Sequence, residues 1–272
     1  MKRFALLPLF MGLCLVAQLA AGQQPLALTK PVLPLTASVL VVTNVNVVDV
    51  VAGEILPNCM VVVQDGYITS IGNQAPGGRA VLRLDGRGKF LVPGLWDTHV
   101  QAPNTAPRER ALLARLVAHG ITSICYFSAP AARPALLATQ RAVEDGTQVG
   151  PRIVLAGARS GWDAPNQAHS TDLLDELSQL VAAGCTLAEA LQAATTIPTA
   201  AAGFRYTLGQ VAPDFRADLL LLDANPLEDI HHLQQVRAVV LRGRVFDRAA
   251  LQALLDEVRE KPSLSANASV AR

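Results

Sequence analysis

The sequence predicts an α/β plus β-sandwich fold: a composite β-sandwich drawn from both chain ends, with a parallel β/α layer between them. Three observations carry this expectation. Valine-rich alternation broken by tight-turn pairs fills residues 38–93. A second β-patterned stretch returns at 209–247. Between the two, the apolar period changes to that of a helix, and strand-like and helix-like runs alternate, as in a parallel sheet with crossovers.

Each element follows from local chemistry. SVLVVTNVNVVDV reads as a strand, VAGEI as a turn, and CMVVVQDGYITSIGN as a hairpin about Asp65–Gly66. AVLRLDGRGKFLVPGL reads as a further strand pair about Asp85–Gly86. RERALLARLVAHG (108–120) places Leu112, Leu113, Leu116 and Val117 on one side of a helix that stops at Gly120. ITSICYF follows as a buried strand, RPALLATQRAVEDG as a helix ending at Gly146, and PRIVLAG as a short strand. STDLLDELSQLVAAG is a helix capped by Ser170 or Thr171. TLAEALQAAT opens on a capping box of Thr186 and Glu189. DFRADLLLLDA and VRAVVLRGRVF return the chain to strands.

Length limits the parallel layer. Residues 91–208 hold three or four βα units at about 30 residues each, under half of the roughly 250 residues of a closed eight-unit barrel.

Composition narrows the partners. Lys plus Arg is 23 and Asp plus Glu 22, a net charge of +1, with aromatics at 4%. Neither a basic stripe nor a stacking surface for nucleic acid is encoded. The start, Lys2–Arg3 followed by FALLPLFMGLCLVAQLAAG, reads as a signal peptide over residues 1–22, cleaved after Ala21 or Gly22. An uncleaved N-terminal anchor is the alternative. With the signal removed no stable membrane span is expected, and the protein is expected to be exported, periplasmic or secreted. Cys59, Cys125 and Cys185 are odd in number and widely spaced, so they read as small apolar residues and not as a disulfide framework.

The chemistry-bearing stretch is LVPGLWDTHVQ, residues 91–101. Strand alternation sends His99 and Gln101 to one face. Two imidazoles there could grip a metal ion; an imidazole and a carboxamide oxygen grip it poorly. By itself His99 reads as a half-buried histidine donating to a backbone carbonyl. Cys125 lies in a strand-core pattern, without a defined histidine partner. No Gly-x-Ser-x-Gly elbow or phosphate loop is present.

The segments NVNVVDVVAGEILPNCMVVVQDGYITSIG, LDGRGKFLVPGLWDTHVQ, HGITSICYF, GPRIVLAG, GWDAPN, HSTDLLDELSQLVAAGCTLAEALQAAT and LGQVAPDFRADLLLLDANPLEDI, in this order, resemble the metal-dependent amidohydrolase superfamily, particularly its imidazolonepropionase-like members. The resemblance implies residues 38–93 and 209–247 as the composite β-sandwich and 94–208 as a partial (incomplete) TIM-type β/α barrel, with 248–272 a C-terminal helix and tail. It implies His99 as the first histidine of the family's His-x-His pair, with Gln101 at the second. Asp163 of GWDAPN falls at the position of the last-strand aspartate, which binds metal and takes the proton from the attacking water. His99 and Asp163 are then vestigial metal ligands and Asp163 the catalytic position. GWDAPN follows GPRIVLAG after only ARS, residues 158–160, so about half a barrel and the central ligands have no counterpart. His119 ends a helix, His169 matches a position that is no principal ligand, and His231 and His232 belong to the returning β segment.

The expected function is that of a hydrolase on carbon–nitrogen bonds, inactive or severely impaired in this form. Its substrate class would be a small amide or cyclic amide, and its metal zinc at low occupancy, since catalytic zinc takes three protein ligands. The alternative is a non-catalytic remnant with a binding or structural role. An incomplete sheet would leave an exposed edge through which the chain could oligomerise.

Overall fold

The computed structural model describes residues 34–72, 81–103, 105–127, 132–155 and 173–260. Residues 1–33, which contain the expected signal peptide, lie outside them, as do Asp163, His169 and the expected caps Ser170 and Thr171.

Among the described residues, twelve strands and six α-helices follow in chain order: β1 (Leu35–Thr36), β2 (Val39–Asp49), β3 (Glu54–Gln64), β4 (Tyr67–Gly72), β5 (Val81–Asp85), β6 (Phe90–Pro93), β7 (Leu95–Gln101), α1 (Ala106–Ala118), β8 (Ile121–Phe127), α2 (Arg133–Glu144), β9 (Arg152–Leu155), α3 (Leu173–Ala182), α4 (Leu187–Ala193), α5 (Thr196–Ala201), β10 (Leu219–Leu222), β11 (Val236–Leu241), β12 (Arg244–Asp247) and α6 (Arg248–Glu260). Among the described residues, nine strands form one sheet and β7, β8 and β9 a second, parallel one.

The larger sheet is built by both ends of the sequence. Its order is β1-β12-β11-β10-β6-β2-β3-β4, with β5 also on β2. The join is β6 against β10, antiparallel, with Leu220 opposite Val92 and Leu221 opposite Leu91. β10 explains why it sits centrally. Its four leucines are all buried, and alternation sends Leu219 and Leu221 into one apolar core and Leu220 and Leu222 into another. The first core lies within the sheet itself, where Val42, Val45, Val47, Val61, Val63 and Ile68 meet Ala217, Ala238 and Val240. The second joins the opposite sheet face to the helices, with Val92 and Val239 beside Leu113, Val117, Leu191 and Leu251.

One local expectation is corrected. The segment 81–93 is not a strand pair about Asp85–Gly86: β5 and β6 both run parallel to β2, on successive parts of that 11-residue strand. The turn between them therefore re-aims the chain without reversing it. Gly86 donates its N–H to the Thr43 carbonyl at 2.7 Å, and Asn46 donates to the Lys89 carbonyl at 3.0 Å. A β-carbon on Gly86 would lie 2.5 Å from that of Val45, so only glycine lets the turn hug β2 this closely. β2 accommodates the change of partner through an irregular register after Val42, where Asn44 takes a left-handed φ of 55°.

The parallel layer follows the helix and strand stops read from sequence. α1 begins with proline in its first turn and ends before Gly120, whose φ is 84°. α2 ends before Gly146, at φ 79°. The capping box at Thr186 is complete: its hydroxyl accepts the Glu189 N–H, and the Glu189 carboxylate accepts the Thr186 N–H at 2.8 Å. The Thr186 N–H and the Thr186 hydroxyl, which donates to the same carboxylate at 2.9 Å, hold the Glu189 carboxyl below its ordinary range. His231 and His232 lie not in a strand but in a 3₁₀ turn, Ile230–Gln234, between β10 and β11.

Two contacts tie the parallel layer to the large sheet. Gly94, between β6 and β7, donates its N–H to the Asp218 carbonyl at 2.8 Å. A β-carbon there would lie 2.1 Å from the buried Thr122 hydroxyl. Gly94→Ala is therefore expected to destabilise by about 1–3 kcal/mol, as overpacking does, seen as a lower urea midpoint at unchanged slope; an unchanged midpoint would show that β7 and β8 can separate freely. The second contact centres on the Asp218 carboxylate, which pairs with Arg152 at 3.1 Å and accepts the Arg242 backbone N–H at 2.9 Å. The Arg242 guanidinium in turn donates to the Gly150 carbonyl at 3.0 Å. Burial pushes that guanidinium below its ordinary value, and the Asp218 charge opposes the shift.

Candidate functional site

The candidate site lies at the C-terminal end of β7, the end at which parallel β/α folds gather their chemistry. β7 starts deep in the protein: Leu95 and Trp96 are buried, the Trp96 N–H bonds to the Ala194 carbonyl at 2.8 Å, and its ring meets Phe204 with centroids 6.0 Å apart. Towards its end the strand opens to half-buried Asp97, Thr98 and His99, and ends at exposed Gln101. Val100 packs with the helices, so alternation places the flanking His99 and Gln101 on the opposite face.

His99 is held from within its own strand. Its backbone N–H donates to Asp97 Oδ1 at 2.9 Å, and Thr98 Oγ1 lies 3.0 Å from His99 Nδ1. The pairing with β8 is irregular at this point: Asp97 stands opposite Ile124 but Val100 opposite Tyr126. Three steps on β7 match two on β8, a bulge that re-aims Thr98 and His99. Asp97 and Thr98 are supporting residues that the sequence reading did not single out. The Asp-x-His spacing was their signal, because a carboxylate two residues before a backbone N–H readily closes a local turn.

The other candidates do not join His99. His119 is exposed at the C-terminal end of α1, with Nδ1 2.8 Å from the Arg115 carbonyl oxygen. A helix that returns a parallel crossover ends at the opposite edge of the sheet from the strand ends. Cys125 is buried beside Trp96 and Leu208. Burial pushes its thiol up to about 11, with the Asp97 charge adding to the shift, so it is a poor nucleophile at neutral pH. Asp163 is outside the described residues. Among the described residues no group of three or more His, Cys, Asp and Glu side chains could hold a metal ion. One imidazole and one exposed carboxamide do not fit the donor set of a catalytic zinc site.

Comparison with known proteins places this geometry. The fold is that of solved amidohydrolase-type enzymes. A Bifidobacterium longum protein assigned as a prolidase superposes with a TM-score of 0.67 at 17% identity, over 83% of this chain and 100% of that one. Molinate hydrolase superposes at 0.64 and 12% identity, over 88% and 99%. Residues 159–246 match the amidohydrolase family. In sequence the chain is similar to the adenine deaminase of Listeria welshimeri, 32% identical over 85 residues, 31% of this chain and 14% of that protein. The match thus spans about a seventh of the curated relative. The chain thus shares its fold with these enzymes, and its residues 159–246 are similar to the amidohydrolase family.

Proposed function

We propose that this chain is an amidohydrolase-related protein whose hydrolysis of carbon–nitrogen bonds is lost or severely impaired. The supporting observation is the strand end itself: where metal-dependent relatives are expected to carry two histidines, β7 presents His99 and exposed Gln101, and no described cluster supplies the remaining donors. A hydrolytic zinc needs three protein ligands and an open position for water. His99 and Asp163 are two, and the carboxamide of Gln101 is a weak third.

The substrate class by family is a small amide or cyclic amide. The second reading, a remnant with a binding or structural role, rests on the same donor set and on residue count. β7, β8 and β9 form the separate parallel sheet among the described residues, and the barrel is read as incomplete, packed on a composite β-sandwich. The edges of so small a parallel sheet would favour oligomerisation. Export to the periplasm or outside the cell is proposed from residues 1–22; no helix among the described residues is long and apolar enough to cross a membrane.

Zinc titration decides between the readings. The wild-type chain is expected to lose added zinc on dialysis, and Gln101→His to bind it about tenfold more tightly, with hydrolysis of simple cyclic and peptide amides negligible in both. Zinc-dependent turnover by the unmodified chain would establish the hydrolase and discard the remnant.

A further inference from the structure

We propose that Ser178 is a base-assisted nucleophile on the protein surface, a site that takes the acyl group of activated esters. It stands away from the strand end of β7, and it rests on the meeting of α3 with the 3₁₀ turn that follows β10. His231 lies in that turn with Nδ1 2.8 Å from Asp229 Oδ1, and its other ring nitrogen, Nε2, is 3.5 Å from the Ser178 hydroxyl oxygen. Asp229, His231 and Ser178 are thus connected in the order carboxylate, imidazole, hydroxyl, the arrangement that activates a serine for acyl transfer.

Each part has a physical basis. The Asp229 carboxylate accepts both the backbone N–H of His231 at 2.8 Å and the Nδ1 proton, so the neutral ring keeps its proton on Nδ1 and turns the Nε2 lone pair toward Ser178. These two His231 donors also hold the Asp229 carboxyl below its ordinary range, and so keep it ionised. A turn cap would need only the backbone contact; the ring contact adds orientation that capping does not require. Ser178 now donates to the Leu174 carbonyl at 2.8 Å. Its hydroxyl hydrogen reaches His231 by rotation about the Cβ–Oγ bond, with the oxygen in place. The 3.5 Å separation is long, as such pairs commonly are before a substrate arrives.

The reaction balances without a further reactant. Ser178 Oγ attacks the ester carbonyl carbon as its proton passes to His231 Nε2. The new C–O bond forms, the bond to the leaving alkoxide or phenolate breaks, and that group departs with the electron pair. Ser178 sits within a helix, whose interior N–H groups are engaged in i to i−4 bonds. Those groups cannot stabilise an oxyanion, so the ester must bring a good leaving group and the chemistry ends largely at the acyl-enzyme.

The test is p-nitrophenyl acetate on the full chain, read as nitrophenolate release and as the acetylated residue by peptide mapping. Acetylation is expected at Ser178, absent in Ser178→Ala, and about a hundredfold slower at Ser178 in His231→Gln, the lower end of the range for general-base assistance. Asp229→Asn should slow it as well, by loosening the ring. Ser178 left unmodified while other side chains are acetylated, or labelled at an equal rate in His231→Gln, would overturn the proposal.

Discussion

Replacing Asp218 with alanine is expected to destabilise the protein by about 3–5 kcal/mol, the range for removing one partner of a buried ion pair. Its side chain is 2% exposed, against 14% for Arg152. The loss is not simply that of one attraction. Alanine leaves the largely buried Arg152 guanidinium without its carboxylate, and it leaves the Arg242 N–H without its acceptor. Among the described residues, Arg152 Nε and Arg242 Nη1 are already buried without hydrogen-bond partners, so the junction is already short of acceptors. Asp218→Asn, which keeps an acceptor for Arg242, should lose less. Urea unfolding of the three proteins measures the order; a loss under about 1 kcal/mol for alanine would place the pair energetically with surface salt bridges.

Trp96→Ala is expected to cost about 3–5 kcal/mol, the range for deleting a large buried aromatic. Trp96 is 1% exposed and forms a small core with Cys125 and Leu208, flanked by Val154, Ala202 and Phe204. It connects the first half of β7 to the segment after α5, so its loss leaves a cavity between elements far apart in sequence. Trp96→Phe should recover a good part of the loss, and thermal melts of the pair provide the comparison. Because His99 lies three residues along the same strand, Trp96→Ala should also broaden the His99 ring resonances in NMR; sharp, unshifted signals would show that the strand end is anchored independently.

Much of the fold was legible locally. The Asp65–Gly66 hairpin, the helix stops at Gly120 and Gly146, and the Thr186–Glu189 box each rest on chemistry contained within a few residues. The candidate site was legible to the same degree. PGLWDTHV announced a strand end bearing His99, and Gln101 announced a poor second donor. The bulge at Thr98–His99 was not legible, because it is defined by pairing with β8, whose register no local pattern records. Ser178 passed unremarked for a similar reason. It looks like any helix-surface serine until the turn at Asp229–His231, some fifty residues later, is brought alongside.

The sequence alone determined periods, turns and stops, and hence which segments are strands, which are helices and where each ends. Tertiary structure decided the partners. It set β5 and β6 parallel along β2 where a hairpin was expected, since the narrow approach of Gly86 to Val45 is a contact across about forty residues. It seated β10 against β6, because a run of four leucines can satisfy both of its faces only between two cores. It also made Asp218 the junction of the two sheets, a role that a single aspartate before a leucine run does not reveal. Local conformation follows from a residue's own sterics and its near neighbours, whereas burial and pairing are properties of surfaces assembled only when distant segments meet.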